Sequence, residues 1–293
     1  MPPTYHVNGD LVPADEATVS VRDRGFTYGD AAFETMRAYG GEVFEWEAHA
    51  DRLRRTCETL AIDHGLSDAD LRGRIRETLT ANDLEDAYVK LSITRGVQPG
   101  KLSPGPTEDP TVVVYVADLP RGGTGADGEG SESVWDAPAT AESVETRRIP
   151  GDALPASAKT HNYLNGVLAR LELGEDADEA ILCDGDGNLT EGATSNCFFV
   201  RDGTLHTPSL DGPVLPGITR RVVLELADER GIPTEEGSYD LAALREADEA
   251  FLTNSTWEIR PLASLDGANL GAGPITDELA AAFDARVERE CYG

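Results

Sequence analysis

The first candidate for chemistry in this sequence is a lysine within a segment of small and apolar residues. Lys159 lies in Ala156–Leu164, and the chain retains only two other lysines, Lys90 and Lys101. An ammonium group in a partly dry site loses its proton more easily, and the neutral amine is a nucleophile that forms a Schiff base with an aldehyde. The alternative interpretation is a surface lysine in a loop. The chemical hypothesis therefore depends on finding the partners that such a lysine requires.

A candidate carboxylate partner is Glu191. Pyridoxal phosphate is an aldehyde cofactor that a lysine can bind, and its ring accepts electrons when a carboxylate keeps the ring nitrogen protonated. Glu191 is flanked by small residues at the start of a predicted strand, in the segment 189–198. In such an acidic chain, Glu191 taken alone is more typical of an exposed surface residue.

Three further segments could bind a phosphate group. Leu215–Thr219 leads directly into a predicted helix, so its backbone amides and the Thr219 hydroxyl could face an anion at the positive helix end. Arg52, on another predicted helix, could supply the cation, and the hydroxyls of 253–256 could bind the remaining oxygens. The alternative for Thr219 is that it only caps the helix.

The elements that must position these residues follow from hydrophobic periodicity. We predict a hairpin over 5–12 and a tight turn at 40–41. The predicted helices are 47–62, 71–81, 162–173, 219–230 and 274–289, and the predicted strands or strand-rich segments are 32–39, 43–46, 87–94, 111–117, 134–148, 180–183, 189–200, 250–253 and 258–262. In the helix 162–173, the spacing places Leu164, Val167, Leu168 and Leu171 on one side. The order indicates a mixed α/β fold without the regular alternation of a doubly wound sheet.

A change of composition indicates two domains. The segment 119–132 is acidic and rich in glycine, and we predict that it links an N-terminal α/β domain, 1–118, to a C-terminal cofactor-binding α/β domain, 133–293. Its GxGxxG pattern at Gly123 to Gly128 is not followed by an amphipathic helix, which excludes a dinucleotide site. The calcium-like run Asp184 to Asn188 lacks the loop glycine and the final glutamate, so we predict a polar turn and no metal site.

Charge and composition exclude other classes of function. The net charge is -29, with 54 acidic against 25 basic residues, so nucleic acids and anionic membranes would be repelled. Spread acidity with few lysines is typical of proteins from salt-accumulating halophiles, although an ordinary acidic protein is the alternative. The four cysteines form no disulfide framework, the N-terminus lacks signal-peptide features, and no apolar run could span a membrane. We therefore expect a cytoplasmic protein.

Together, these segments resemble the class IV aminotransferase family, the fold type IV pyridoxal phosphate enzymes. The resemblance begins at Asp23–Glu34 and continues through His49–Leu53 and Lys159–Leu164. It ends with the Glu191 strand, Leu215–Arg220 and Phe251–Pro261, so it covers almost the whole chain. The family includes branched-chain and D-amino acid aminotransferases and aminodeoxychorismate lyases. The resemblance implies two α/β domains, pyridoxal 5'-phosphate as cofactor, and a homodimer.

The resemblance also assigns roles to individual residues. It implies that Lys159 forms the Schiff base and moves the substrate proton, that Glu191 pairs with the ring nitrogen, and that Tyr163 binds the phenolic oxygen. The implied phosphate ligands are Arg52, Ile218, Thr219 and Ser255. The predicted substrate contacts are Tyr28, Phe33, Lys90, Arg95, Thr256 and Trp257, with Lys101 and Arg260 as further candidates for a substrate carboxylate.

Three activities remain open at this point. The first is amino transfer between an amino acid and a 2-oxo acid, in amino acid metabolism. The second is cleavage of aminodeoxychorismate to pyruvate and 4-aminobenzoate. Both begin with the same proton removal, and residue types do not choose between them, nor between L- and D-amino acids. A protein that binds the cofactor without catalysis is the third, and the presence of both Lys159 and Glu191 argues against it.

Overall fold

The computed structural model describes residues 3–121, 133–271 and 273–293. The chain divides into two compact units, of which the first comprises Met1–Pro120, Ala158–Asn162 and Glu290–Gly293, and the second comprises Arg121–Ser157 and Tyr163–Arg289. Most of the predicted linker 119–132 lies outside the described residues. The predicted domains 1–118 and 133–293 differ from this division at 158–162 and 290–293, which belong to the first unit.

The first unit contains one sheet and three helices within the described residues. Its elements are β1 (Thr4–Val7), β2 (Asp10–Pro13), α1 (Arg24–Tyr28), β3 (Ala31–Tyr39), β4 (Glu42–Val43), α2 (Trp46–Leu60), α3 (Asp68–Ala81), β5 (Ala87–Thr94) and β6 (Val112–Asp118). The six strands pair in the order β2-β1-β6-β5-β3-β4, and every pairing is antiparallel.

Local sequence explains these elements well. Asn8 and Gly9 adopt positive φ angles of 52° and 110°, as the tight turn between β1 and β2 requires. A capping box formed by Ser67 and Asp70 begins α3. The apolar side chains of α2 and α3 pack with the alternating apolar residues of β5 and β6, mostly valines, into one core. This core supports β3, the strand next to the candidate lysine segment.

The second unit contains a larger sheet and four helices within the described residues. Its elements are β7 (Ala139–Ser143), α4 (Leu164–Leu171), β8 (Glu179–Cys183), β9 (Leu189–Gly192), β10 (Asn196–Arg201), β11 (Thr204–Pro208), α5 (Ile218–Arg230), β12 (Thr234–Gly237), α6 (Leu241–Arg245), β13 (Glu249–Asn254), β14 (Glu258–Leu265), β15 (Ala268–Asn269) and α7 (Pro274–Val287), and a π-helical turn spans Glu288–Tyr292 at the chain end.

The sheet of the second unit mixes parallel and antiparallel pairs. Its order is β12-β11-β10-β13-β14-β7-β8-β9, with β15 added to β14. β11 and β12, β14 and β7, and β7 and β8 pair in parallel. The central strands β10 and β13 are buried along almost their whole length, and the turns at their ends carry several of the predicted site residues.

Most predicted elements are confirmed, and the mixed α/β class with them. The predicted strand-rich segment 134–148 contains only the short strand β7, and the segment 43–46 gives way to α2 at Trp46. The short helices α1 and α6 and the strands β11, β12 and β15 were not predicted. The side of α4 that carries Leu164, Val167, Leu168 and Leu171 is exposed, whereas Ala169 contributes the buried contact. In the described part of the chain, no helix is long and apolar enough to cross a membrane.

Candidate functional site

The candidate lysine lies beside strand β3 of the first unit. The backbone N–H of Phe33 donates to the Lys159 carbonyl at 3.0 Å, and the N–H of His161 donates to the Ala31 carbonyl at 3.1 Å. The Lys159 N–H donates to the Thr56 hydroxyl of α2 at 3.0 Å. The loop is therefore held by β3 and by α2, which restrains the backbone that carries the amine.

The ring of Phe33 connects Lys159 with a second predicted residue. Lys159 Nζ lies 4.6 Å from the ring centroid and Lys90 Nζ lies 4.9 Å from it, so the ring face stabilises both cations. Burial lowers the pKa of Lys90, and the nearby Lys159 charge lowers it further. The structure thus brings Lys159, Phe33 and Lys90 together, and two cations on one ring would favour a substrate carboxylate.

His161 adds a neutral group to this cluster. Its ring meets Phe33 edge-on at a centroid distance of 5.4 Å, and its Nε2 lies 3.1 Å from the Ser92 hydroxyl. Burial, with a contribution from the Lys90 charge, lowers the pKa of His161 to about 4. The imidazole is therefore uncharged at neutral pH, and it can act as a hydrogen-bond partner without adding a third positive charge.

Arg52 is held by a buried ion pair. Its Nε and Nη2 donate to the two oxygens of Glu34 at 2.8 and 2.5 Å, and His49 Nδ1 lies 2.8 Å from Glu34 Oε2. Burial alone would raise the pKa of Glu34, but Arg52 and His49 lower it to about 2. Burial lowers the pKa of His49, against the effect of Glu34. The network therefore orients the guanidinium with an ionised carboxylate and a largely neutral imidazole.

Arg95 does not fit its predicted role as a substrate contact. Its guanidinium donates to the carbonyls of Leu60 and Ala61 at 2.5 and 2.8 Å. It also pairs with Asp30 at 2.8 Å, and the side chain is buried. These bonds use all three nitrogens to tie the end of α2 to β3, so we assign Arg95 a structural role.

Tyr28 and Lys101 lie near a second buried arginine, Arg24. The guanidinium carbon of Arg24 is 4.8 Å from the Tyr28 ring centroid. Arg24 also donates to the backbone carbonyls of Lys101 and Leu102 at 2.7 and 3.0 Å. Arg24 therefore orders the loop after β5 through its backbone, while the Tyr28 ring is partly exposed and Lys101 is exposed.

In the second unit, Glu191 is a buried carboxylate with three donors. Arg148 Nε donates to Oε1 at 2.8 Å, while the Leu215 N–H and Asn196 Nδ2 donate to Oε2 at 2.9 and 3.2 Å. Glu191 is only 6 % exposed. A buried carboxylate with charged and neutral donors is favoured as the anion, which is the form that a protonated ring nitrogen needs.

The segment that bonds to Glu191 runs into the start of α5. Ile218 and Thr219 are the first helical residues and both are buried, while Gly217 is the N-cap and provides no side chain to the first amides. The alternative that Thr219 caps the helix is therefore wrong. A Cβ on Gly217 would lie 2.0 Å from Asn196 Oδ1, so only glycine allows this approach. Asn196 thereby joins the carboxylate to a helix start suited to anions.

Ser255, Thr256 and Trp257 form the turn between β13 and β14, and all three are half-buried. The guanidinium of Arg260 lies 5.0 Å from the Trp257 ring and pairs with Asp178 at 3.1 Å. Arg260 is thus engaged within the second unit. Tyr163 immediately precedes α4, and its ring is partly exposed.

Sequence reasoning missed the residues that hold the predicted ones in place. Glu34 and His49 were visible only as members of motifs, because their pairing with Arg52 joins β3 to α2. Arg148 and Asn196 carried no signal at all in a chain with many charged and polar residues. Because a buried charge needs a partner, burial of Arg52 and Glu191 in a site implied that polar partners existed, but it did not identify them.

Comparison with known proteins agrees with this arrangement. The family model described as Amino-transferase class IV matches residues 31–265. A predicted branched-chain-amino-acid aminotransferase of Methanocaldococcus jannaschii is 39 % identical over 282 residues, covering 95 % of this chain and 94 % of that protein. The aminodeoxychorismate lyase of Bacillus subtilis is 33 % identical over 288 residues, and the match covers 97 % of this chain and 94 % of the lyase.

A solved structure gives the same fold. The branched-chain aminotransferase of the thermophilic archaeon Thermoproteus uzoniensis, solved with norvaline, superimposes with a TM-score of 0.88 at 30 % identity, covering 97 % of this chain and 94 % of that one. The match extends over both units described above. The chain therefore belongs to the class IV aminotransferase family, whose members are fold type IV, pyridoxal phosphate-dependent enzymes.

Proposed function

We propose that this chain transfers an amino group between an amino acid and a 2-oxo acid, with pyridoxal 5'-phosphate as its cofactor. The observation that carries the proposal is the buried carboxylate of Glu191, held by Arg148 and by the backbone at the start of α5. When bound, the cofactor supplies the aldehyde and an electron-accepting ring. The donor set suits it, because an anionic carboxylate lies next to a helix start without a side-chain cap.

Each of the predicted site residues then has a specific role. Lys159 would hold the cofactor through its side-chain amine, and the same amine could take up and return the substrate proton. Glu191 would pair with the ring nitrogen and favour its protonated form. Tyr163 would bind the phenolic oxygen, and the phosphate would be bound by Arg52, Ile218, Thr219 and Ser255.

Three of the remaining predicted residues form the proposed substrate contacts in the first unit. Lys90 binds a substrate carboxylate, which its position over the Phe33 ring beside Lys159 supports. Phe33 provides an apolar wall, and Tyr28 contributes a partly exposed ring. In the second unit, Thr256 and Trp257 are the proposed contacts.

A spectroscopic experiment tests the cofactor assignment. The wild-type protein, mixed with pyridoxal phosphate at high salt, is expected to acquire a visible absorption band. Borohydride should then attach the cofactor covalently to Lys159, as located by peptide mass spectrometry. Lys159→Ala should give no attachment, and a colourless wild-type protein would refute the proposal.

The second candidate function is cleavage of aminodeoxychorismate, which the match to the B. subtilis lyase supports. The loaded enzyme would be offered L-amino acids, D-amino acids and aminodeoxychorismate separately. We expect amino acids to convert the cofactor to its amine form, with consumption of a 2-oxo acid in the second half of the reaction. Pyruvate release from aminodeoxychorismate alone would replace amino transfer by the lyase activity.

We also propose that the protein is a homodimer. The exposed side of α4 supports a partner surface, because four large apolar side chains, Leu164, Val167, Leu168 and Leu171, are between 47 and 76 % exposed. Sedimentation should show a dimer for the wild type, and a monomer at every protein concentration would contradict this.

Neither nucleic acid nor membrane is proposed as a partner, given the net charge of -29. The cytoplasmic location and the halophilic origin stay predictions.

A further inference from the structure

The turn between β13 and β14 is organised by one side chain, that of Asn254. Its Oδ1 accepts hydrogen bonds from the Thr256 N–H at 3.0 Å, the Thr256 hydroxyl at 2.9 Å and the Trp257 N–H at 2.7 Å. This arrangement closes the turn through a side chain instead of the backbone. The sequence suggested no role for Asn254.

The amide of Asn254 also reaches the turn that follows Glu191. Nδ2 lies 3.4 Å from the Thr194 carbonyl. Thr194 is itself held by its N–H and hydroxyl on Glu179, at 3.1 and 2.7 Å, and Glu179 is fully buried. Since Asn196 pairs with Thr253 in the sheet, the two turns lie side by side at the end of β10 and β13.

The far end of the same turn is held separately. The indole N–H of Trp135 donates to the Trp257 carbonyl at 2.9 Å, and Arg260 lies over the Trp257 ring. Between these two attachments lies Ser255, whose hydroxyl makes no hydrogen bond within the described residues. The Thr253 hydroxyl is buried and also lacks a partner among the described residues. The turn is thus held at both ends, while the hydroxyls of Ser255 and Thr253 remain able to bind a further group.

We propose that Asn254 is a positioning residue that presents the Ser255 hydroxyl to the phosphate of the cofactor. Asn254 acts through the conformation of the turn and does not touch the reacting atoms. It therefore sets the affinity for the phosphate group and leaves the chemistry at the aldehyde unchanged. This inference rests on the proposed function, since it assumes that pyridoxal phosphate binds.

The test compares two ligands that differ only in the phosphate. The apoprotein would be titrated with pyridoxal phosphate and with pyridoxal, followed by absorbance. Asn254→Ala is expected to weaken binding of pyridoxal phosphate by about tenfold, the effect of losing one well-placed hydrogen bond to a charged group. Binding of pyridoxal should change by less than about twofold, and Asn254→Ser, which retains an acceptor for the turn, should lie in between.

A matched control separates positioning from general destabilisation. Asp184 closes the turn between β8 and β9 in the same manner, with Oδ1 accepting from the N–H groups of Asp186 and Asn188 at 2.9 and 2.8 Å. Asp184→Ala should lower the melting temperature by an amount similar to Asn254→Ala, with unchanged affinity for pyridoxal phosphate.

The outcomes separate the role of Asn254 from the proposed function. If the wild type binds pyridoxal phosphate but Asn254→Ala has the same affinity as wild type, or loses affinity for both ligands equally, the role of Asn254 is refuted and the proposed function stands. If the wild type itself binds no pyridoxal phosphate, both the proposed function and this inference fail.

Discussion

The buried network around Arg52 predicts a large loss of stability when Glu34 is changed to glutamine. Glu34 is 1 % exposed, and its two oxygens accept from Arg52 at 2.8 and 2.5 Å. Glutamine has nearly the same shape, so the substitution removes the negative charge and one acceptor without opening a cavity. What remains is a buried guanidinium whose charge is no longer compensated.

The expected magnitude follows from this geometry. Removing one partner of a buried ion pair costs about 3–5 kcal/mol, because the other charge stays away from water without compensation. The amide oxygen of glutamine still accepts one bond from Arg52, so we expect a loss of about 3 kcal/mol in the free energy of unfolding. The pKa of about 2 for Glu34 agrees in direction, since Arg52 and His49 strongly favour the carboxylate over its protonated form.

The assay is urea unfolding of the apoprotein at constant high salt, followed by tryptophan fluorescence. Glu42→Gln is the matched control, because Glu42 also accepts from two arginines, Arg72 and Arg76, but at a partly exposed position. Exposed pairs contribute about 0–1 kcal/mol, so this variant should unfold almost like wild type. A loss below about 1 kcal/mol for Glu34→Gln, or equal losses for the two variants, would refute the reasoning.

The same variant tests the proposed role of Arg52. If Arg52 binds the cofactor phosphate, an added phosphate dianion can replace the missing carboxylate as its partner. Inorganic phosphate should therefore raise the melting temperature of Glu34→Gln more than that of wild type, at equal ionic strength. An equal rise in both proteins would remove Arg52 from the phosphate ligands.

Three other predictions address separate features. Glu249 accepts from the N–H and hydroxyl of Thr276 at 2.7 Å each, at the start of α7, so Glu249→Gln should cost about 1–2 kcal/mol in urea unfolding. His161 has a pKa of about 4 in the folded chain against 6.5 ordinarily, so the unfolded chain binds the proton first as pH falls. The free energy of unfolding should therefore fall between pH 6.5 and pH 4, by up to about 3 kcal/mol, because the buried neutral imidazole resists protonation. In His161→Gln, the free energy of unfolding should fall less over the same pH range. Gly96 has a φ of 83°, and a Cβ there would lie 1.9 Å from the Asp109 carbonyl oxygen, so Gly96→Ala should yield little folded protein, as measured by circular dichroism.

Much of the fold was readable because its signals are local. Helix α3 combines a capping box with apolar residues at helical spacing, and the strands β5 and β6 alternate or concentrate apolar residues as a buried sheet requires. Helix α1 is too short for periodicity to reveal, and β7 lies in a segment of mixed composition. Element type was therefore predictable, whereas short elements and their ends were not.

The sequence identified candidate residues by their chemical type, but it did not show which role each of them has. Lys90, Arg95 and Arg260 looked alike in the sequence as possible carboxylate binders. In the structure, Arg95 binds the carbonyls at the end of α2 and Arg260 lies over Trp257, while Lys90 stays beside Lys159 over the Phe33 ring. Only the tertiary structure separates them, because the partner of a charged side chain is set by contacts between distant segments.

The sequence by itself indicated the class of chemistry, through a rare lysine, a carboxylate flanked by small residues and a segment leading into a helix, whose order along the chain resembles the class IV aminotransferases. These features depend on residue type and short spacing, which the chain carries directly. The tertiary structure decided which groups hold them: Glu34 for Arg52, Arg148 and Asn196 for Glu191, and Asn254 for the turn of Ser255. Such supports are invisible in the sequence, because a buried polar group gains its partner only when strands and helices far apart in the chain pack against each other.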